Sequence, residues 1–277
     1  MLSRRKFISG ITLGSIGLAG LYSWQIEPYW VEYVQMPMPI KNLPENLVGA
    51  TLVQLSDLHI GNRYDYQYQL PVFQKIISLK PEFVVYTGDY VTYESKEQFE
   101  QLKQVFKHAP LGKLGTYGVL GNHDYGKKWS QLEVADEVTA ILNNSGIHML
   151  RNQSIQSNSL NFTGLDDFWS PKFSAEILKE INDAQANLVL CHNPDALDLD
   201  VWNNYKGWIL SGHTHGGQCK PPFLPPPLLP VKNKLYSSGK IDLKDGRTVY
   251  INRALGNLWP VRFNMRPEVT IFRLEKA

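Results

Sequence analysis

The sequence predicts an α/β protein, and three observations support this. Short apolar runs recur along the chain, and the buried strands of open α/β sheets are typically continuous runs of this kind. Stretches with helical character separate several of these runs. Most runs are followed at once by Asp, Asn, His or Gly, which is the position where such sheets place their functional sites.

The first half of the chain predicts four strands. An alternating segment at 30–38 is typical of an edge strand and leads into a proline-rich linker. Apolar runs predict three further strands, at 50–56, 83–87 and 116–120. Helices are expected near 66–79, 95–107 and 129–145.

The second half of the chain predicts shorter elements. Short antiparallel strands are expected near 147–165, followed by a helix near 173–185. Apolar runs then predict strands at 187–190 and 208–211. We expect two later strands, at 247–252 and 268–274, to complete a second sheet.

Residues 221–230 interrupt this alternation of strands and helices. Six of these ten residues are proline, so we expect a stiff, extended loop rather than a helix or a central strand. Five residues separate the loop from His215, so it should lie near the polar segments described below. Its large apolar side chains leave two interpretations open: a brace packed on the domain, or a contact with substrate or membrane.

Length and charge narrow the functional class. A chain of 277 residues can bury one large core without disulfides. The formal net charge is +2, and residues 4–6 supply three positive charges. From Trp24 onward there are 25 basic and 26 acidic residues, so a nucleic-acid partner has no electrostatic support. Cys191 and Cys219 show no ligand spacing and are interpreted as small thiols near the core.

The first 27 residues are interpreted as a twin-arginine-type signal or a membrane anchor, followed by a folded domain at 28–277. Residues 3–8, Ser-Arg-Arg-Lys-Phe-Ile, are similar to the twin-arginine signal that the export machinery recognises. The 18 uncharged residues from Phe7 to Trp24 would form about 27 Å of helix, just enough to cross a bilayer. The basic residues would stay in the cytoplasm and place the domain outside it.

Five of the seven histidines lie in five short polar segments. Imidazole and carboxylate together suit divalent Mn, Fe and Zn. Three segments precede residue 125 and two follow residue 190, so they must converge in space rather than form a local finger. This pattern predicts a two-metal hydrolase. The segments are Asp57-Leu58-His59, Gly88-Asp89, Gly121-Asn122-His123-Asp124, Cys191-His192 and Gly212-His213-Thr214-His215.

In this order the five segments resemble the motifs of the calcineurin-like metallophosphoesterase superfamily. The resemblance covers roughly residues 50–274. The residues Gly216-Gly217-Gln218 after the last histidine, with a signal or anchor before the domain, are similar to a bacterial membrane-associated phosphodiesterase branch. The resemblance implies a four-layer α/β/β/α sandwich with a dinuclear metal centre.

The resemblance also implies the metal ligands, and elementary chemistry agrees with it. A carboxylate can place one oxygen on each of two cations about 3.5–4 Å apart, and the cations lower the pKa of a shared water. A metal-bridging hydroxide could then attack phosphorus. The first metal would be held by Asp57, His59 and His215, the second by Asn122, His192 and His213, and Asp89 would bridge the two.

Three further residues receive implied or candidate roles. His123 would lie beside the metals without binding them and would protonate the leaving oxygen. Asp124 would orient His123. Arg253 is a candidate phosphate contact, because guanidinium suits phosphate oxygens, and a surface salt bridge is an equal alternative.

The leading hypothesis is a metal-dependent phosphodiesterase, with a lipid-linked phosphoester at the membrane as its narrower version. One alternative is a UDP-diacylglucosamine-type pyrophosphatase of lipid A synthesis. That substrate is cytoplasmic, whereas the N-terminal segment predicts an extracytoplasmic domain, with the cytoplasmic face of the membrane as the other location. Another alternative is a non-catalytic metal-binding scaffold, which would not need to keep His123 and Asp124.

Overall fold

The computed structural model of the chain describes residues 4–202 and 205–277, with side chains from Thr12 onward. Its strands form two six-stranded sheets that pack on each other through an apolar layer. Three helices cover the outer face of the first sheet. The predicted layered α/β sandwich is therefore confirmed.

The first sheet contains most of the strands predicted in the first half of the chain. They are β1 (Glu32–Ile40), β2 (Thr51–Leu55), β3 (Phe83–Thr87), β4 (Gly115–Val119), β5 (His148–Met149) and β12 (Glu268–Lys276). Their spatial order is β1-β12-β2-β3-β4-β5, and only β12 and β2 pair antiparallel. β1 carries Pro37 and Pro39 at the edge, where the missing N–H groups leave no central ladder broken.

The helices pack through apolar residues at helical spacing. The described residues form four α-helices: α1 (Arg4–Leu21), α2 (Gln69–Leu79), α3 (Glu97–Phe106) and α4 (Leu132–Asn144). On α2 the buried residues include Val72, Phe73 and Ile76, which share one face of the helix. With α3 and α4 they form one core with Val53 and Val84 of the first sheet.

The second sheet is also largely parallel. Its strands are β6 (Gln153–Ser157), β7 (Leu160–Gly164), β8 (Ala186–Leu190), β9 (Gly207–Ser211), β10 (Gly239–Asp242) and β11 (Arg247–Ile251). Their order is β10-β11-β9-β8-β7-β6, with antiparallel pairs at both edges. The antiparallel hairpin expected near 147–165 is therefore present as β6 and β7, whereas β5 pairs parallel with β4.

The strands of the first sheet contribute to two cores because alternate residues face opposite sides. Leu52 and Phe83 face the second sheet, where Phe83 contacts Phe162 with ring centroids 5.2 Å apart. Their neighbours Val53 and Val84 face the helices. This arrangement leaves the strand ends, rather than the sheet faces, to build a polar site.

Two predictions about the second half are wrong. Among the described residues, 173–185 contain only a 3-10 turn at Glu176–Glu180; Asn182 accepts a hydrogen bond from the Ala184 N–H, and such local bonds compete with a helix. The last strand does not join the second sheet, since β12 lies between β1 and β2. Strand β10 was not predicted.

The N-terminal segment is joined to the domain just after α1. The Ser23 carbonyl accepts a hydrogen bond from the Arg262 N–H (2.9 Å), and the Glu27 carboxylate accepts one from the Met265 N–H (2.6 Å). Within the described part of the chain, no helix is both long enough and apolar enough to cross a membrane. Ser3 and the side chains of the predicted export motif at 3–8 lie outside the described residues.

Candidate active site

The predicted site residues follow the carboxyl ends of strands at one end of the sandwich. Asp57, Asp89 and Asn122 follow β2, β3 and β4 of the first sheet. His192 and His213 follow β8 and β9 of the second. Because these strands run parallel within each sheet, their carboxyl ends share one edge and bring distant segments together.

Five of the predicted metal ligands have a left-handed backbone. Non-glycine residues rarely adopt positive φ angles, and such strain concentrates at functional sites. The five are Asp57 (φ 52°), His59 (48°), Asp89 (55°), His213 (71°) and His215 (52°). The turns at the strand ends thus carry the backbone strain that is typical of a functional constellation.

Asp57, His59 and His215 form one cluster of potential ligand atoms, all within 4.8 Å of one another. The Nε2 atoms of the two histidines lie 3.0 Å apart, and Asp57 Oδ1 lies 3.2 Å from His215 Nε2. His59 Nδ1 is hydrogen-bonded to Thr92 Oγ1 at 3.0 Å, which leaves its Nε2 as the free coordinating atom. Two imidazole nitrogens and a carboxylate oxygen facing one another fit a divalent cation.

Asp89, His192 and His213 form a second cluster with the same spacing limit of 4.8 Å. His192 Nδ1 donates to the Thr87 carbonyl (2.6 Å), and its buried Nε2 makes no hydrogen bond to any described residue. Within the same described part of the chain, the buried Oδ1 of Asn122 also lacks a hydrogen-bond partner. Buried polar atoms without partners are costly, so these two atoms fit a metal ion that would pair with both.

Asp89 joins the two clusters. Its Oδ2 lies 3.3 Å from His192 Nε2 and 3.7 Å from His59 Nε2, while its Oδ1 accepts the His123 N–H at 2.8 Å. One carboxylate oxygen therefore faces a histidine of each cluster. This position agrees with the predicted bridge.

Asp57, Asp89 and His213 have charge states that suit metal binding, because ligands bind as carboxylates and neutral imidazoles. His192 differs, since burial lowers its pKa but Asp89 outweighs burial and raises the pKa well above the usual value, so a bound metal would displace a proton there. Burial opposes the ionisation of Asp57, but His215 and His192 outweigh it and lower the pKa of its carboxyl to about 2. Burial likewise opposes the ionisation of Asp89, yet His192 and His123 hold its pKa well below the usual range. Burial, reinforced by His192, lowers the pKa of His213 to about 3.

His123 lies beside both clusters. Its half-buried ring meets the His59 ring edge-on, with centroids 4.9 Å apart. Burial lowers the pKa of His123 below its usual value. Its ring also lies within ligand distance of His59 and Asp89, so its role as a proton donor that binds no metal stays a prediction.

Asp124 has a different environment from the one predicted. Its buried carboxylate accepts four backbone N–H groups, those of Asp89, Tyr90, Val91 and Gly121, at 2.8–3.2 Å. Among the described contacts no hydrogen bond joins it to the His123 ring, so the predicted orienting role finds no support. Asp124 instead ties the turn after β3 to the turn after β4.

Arg253 is engaged with protein carboxylates. Its Nε donates to the buried Glu268, and its Nη2 lies 2.9 Å from Glu32. These contacts correspond to the salt-bridge alternative and not to a free phosphate ligand. The neighbouring Arg262 is fully buried and donates to Asn257 and to the carbonyls of Arg253, Gly256 and Met265.

Sequence reasoning missed several residues that shape the site. His213 Nε2 donates to the Pro230 carbonyl at 3.0 Å, so the proline-rich loop orients a predicted ligand and leaves Nδ1 to coordinate. The Trp169 ring meets His213 edge-on at 4.5 Å between centroids, and Trp129 packs on Trp169 at 4.6 Å. The one indication of these two tryptophans in the sequence was the position of Trp169 shortly after β7.

An apolar groove of about 540 Å³ adjoins the metal-ligand clusters. His213 and His215 belong to its lining, together with residues 227–230 of the proline-rich loop and residues 258, 259 and 261. The loop itself, 221–230, contains neither helix nor strand, as predicted. Both interpretations of the loop thus find partial support, because it packs on a site residue and also exposes apolar side chains.

The fold and the site define a calcineurin-like phosphoesterase, and the chain belongs to that family, whose sequence profile matches residues 50–217. It is 30% identical to the metallophosphoesterase YkuE of Bacillus subtilis, over 100% of this chain and 99% of that protein. It is 29% identical to the phosphodiesterase YaeI of Escherichia coli, over 99% and 100%. It is also 30% identical to the UDP-2,3-diacylglucosamine pyrophosphatase LpxG of Chlamydia trachomatis, over 96% and 98%.

The family and the branch predicted from the five segments are therefore confirmed. The protein is a metal-dependent phosphoester hydrolase, and its clustered Asp and His residues serve two divalent metal ions. The identity of the metals stays open, because Asp, Asn and His suit Mn, Fe and Zn alike.

Proposed function

We propose that the protein is a phosphodiesterase that hydrolyses a lipid-linked phosphoester at the outer face of the cytoplasmic membrane. One observation carries the lipid-linked part of this proposal: the apolar groove shares His213 and His215 with the two metal-ligand clusters. A substrate whose phosphate reaches the clusters would therefore place its neighbouring group against apolar walls.

The residues of the site divide the chemistry among them. When bound, two divalent ions would supply the charge that neutralises the phosphoryl oxygens and activates water. Asp89 would be the residue that both metal positions share, since its Oδ2 faces a histidine of each cluster. His123, half-buried beside His59, delivers a proton to the leaving oxygen. Asp124 keeps the turns of Asp89 and His123 in register through its four N–H bonds.

The groove favours an acyl or alkyl chain over a polar group. Leu228 and Leu229 line it from one loop, and Leu258, Trp259 and Val261 from another. Polar groups placed there would lose water without gaining partners, whereas each buried methylene contributes about 0.8 kcal/mol. The related LpxG is named as a pyrophosphatase of UDP-2,3-diacylglucosamine, an acylated compound, and this name supports the choice.

The proposed location rests on the N-terminal sequence. The twin arginines Arg4 and Arg5 precede the uncharged residues 7–24. Twin-arginine export carries folded proteins, so the metals would be loaded in the cytoplasm. Arg4→Lys with Arg5→Lys should leave the protein inside, with charge unchanged. Wild-type domain that resists protease in spheroplasts but is digested after lysis would contradict export and favour the cytoplasmic face.

Phosphodiesters of p-nitrophenol with alkyl chains of increasing length test the substrate class. With Mn-, Fe- or Zn-loaded protein we expect kcat/KM to rise by up to about fourfold per added methylene until the groove is filled. Leu228→Ser should flatten this dependence and leave the shortest ester unaffected. Ile77→Ser, an exposed apolar position on α2, is the matched control and should keep the wild-type dependence.

Two outcomes would contradict the proposal. The same chain-length dependence in Leu228→Ser and wild type would remove the groove from substrate binding. If metal-loaded protein hydrolysed none of these esters, the non-catalytic scaffold would be favoured, and His123 and Asp124 would then have no catalytic role.

A further inference from the structure

Two loops beside the metal-ligand clusters expose large apolar side chains on the same surface. We name residues 218–235 and 255–266 the apolar rim. Phe223 at the tip of the first loop is fully exposed, Leu228 is 78% exposed and Leu235 77%. Trp259 in the second loop is 65% exposed. Soluble proteins rarely leave so many large apolar side chains together in water, so the rim indicates an interaction surface.

Hydrogen bonds join the two loops into one surface. The Gln218 side chain donates to the carbonyls of Trp259 and Val261, both at 2.9 Å. The Phe263 N–H donates to Gln218, and the Lys220 N–H donates to Phe263, at 2.9 and 2.8 Å. The exposed side chains of both loops therefore belong to one supported structure that borders the groove.

The charged residues of the rim are all basic. Neither loop contains Asp or Glu, whereas Lys220, Lys232 and Lys234 lie in the first loop, and Arg266 and the buried Arg262 lie in the second. The chain from Trp24 onward carries slightly more acidic than basic residues, so the sequence of the rim is more basic than that of the domain as a whole. Apolar side chains flanked by lysine, without acidic residues, suit an interface with anionic lipid headgroups.

The end of the N-terminal segment continues the same surface. The Arg262 N–H donates to the Ser23 carbonyl, which places the residues just after α1 against the second loop. Trp24 is 54% exposed and Ile26 50%. A third stretch with exposed apolar side chains is thus joined to the second loop of the rim.

From this arrangement we propose that the apolar rim is a membrane-docking surface, and that its partner is a bilayer that contains anionic lipid. Phe223 and Leu224 enter the interface, and Lys220 and Lys232 contact the headgroups. Docking in this way turns the open side of the groove toward the lipid. Docking of the rim to the membrane does not depend on whether the substrate itself is a lipid.

A fluorescent label at the loop tip tests the proposal on the full chain. Phe223→Cys is labelled with an environment-sensitive dye in a Cys219→Ser background, since Cys191 is buried. The control label is Leu79→Cys, an exposed position at the end of α2, just before the amino end of β3 and hence at the opposite end of the sheet. Both proteins are mixed with vesicles of phosphatidylcholine, with and without phosphatidylglycerol.

We expect the label at position 223 to shift to the blue and to resist an aqueous quencher only with phosphatidylglycerol present. The label at position 79 should not respond. Equal responses of the two labels, or none at position 223, would overturn the proposal. A blue shift at position 223 that grows with protein concentration without vesicles would overturn it in favour of a second copy of the chain.

A pair of variants separates docking from catalysis. Phe223→Ser with Leu224→Ser should weaken binding to anionic vesicles by at least about tenfold, because two large apolar side chains no longer enter the interface. Hydrolysis of soluble bis-p-nitrophenyl phosphate should stay at the wild-type rate, since neither residue lines the groove. Ile77→Ser with Leu79→Ser is the matched control. Unchanged vesicle binding in the rim variant would refute docking, whereas absent hydrolysis in wild type would refute only the proposed activity.

Discussion

Replacing Asp89 by asparagine should weaken both metal positions at once. The change keeps the shape of the side chain and the oxygen that accepts the His123 N–H, but it removes the charge. The Oδ2 atom lies 3.3 Å from His192 Nε2 and 3.7 Å from His59 Nε2, so the loss reaches both clusters. Losing an outer hydrogen-bonding partner of a ligand typically costs 10–100-fold in metal affinity, so losing a shared direct ligand should cost more than about 100-fold at each position.

Calorimetric titration of metal-free protein with Mn, together with the metal content of the purified protein, measures this effect. Turnover of bis-p-nitrophenyl phosphate should fall with it. Asp195→Asn is the matched control, because Asp195 is a buried carboxylate that accepts the N–H groups of Lys232 and Asn233 and belongs to none of the clusters. Two ions per chain bound with wild-type affinity by Asp89→Asn would refute the bridging assignment.

Three further variants test the neighbouring residues. His123→Ala should keep both metals and lose far more kcat on alkyl esters than on activated aryl esters; equal losses would argue against a proton donor. Asp124→Ala should lower the free energy of unfolding by about 3 kcal/mol or more, since each buried N–H left unsatisfied costs about 1–3 kcal/mol, and denaturant unfolding in the presence of chelator measures this without the metals. Arg253→Ala should destabilise the fold by about 3 kcal/mol by leaving the buried Glu268 without its cation, yet keep KM within about twofold; a large rise in KM would restore the phosphate contact.

The elements that could be predicted are those whose sequence pattern lies within the element itself. β3 matches its predicted bounds, β8 differs by one residue and β2 by one residue at each end, because buried strands are short runs of apolar residues ended by polar turns. The helix expected near 173–185 is wrong: a 3-10 turn at Glu176–Glu180 is followed by a turn in which the Asn182 side chain accepts the Ala184 N–H. The place of β12 depends on which strand edge is free in the assembled sheet, and no residue of 268–276 encodes that partner by itself.

The chemical identity of the site was determined by the sequence alone, because metal ligands are rare residue types that stand directly after strands. The resemblance to the family implied that Asp57, Asp89 and His192 are ligands before any distance was known, and the structure brings each into a cluster that could hold a metal. The supporting contacts were decided only by the tertiary structure. Three of the four N–H groups that Asp124 accepts lie 33–35 residues away, and Glu268 lies 15 residues from Arg253. The type of a side chain determines which groups it can bind. The partner of a buried charge, however, is one of the groups that packing brings beside it, and packing depends on the whole fold.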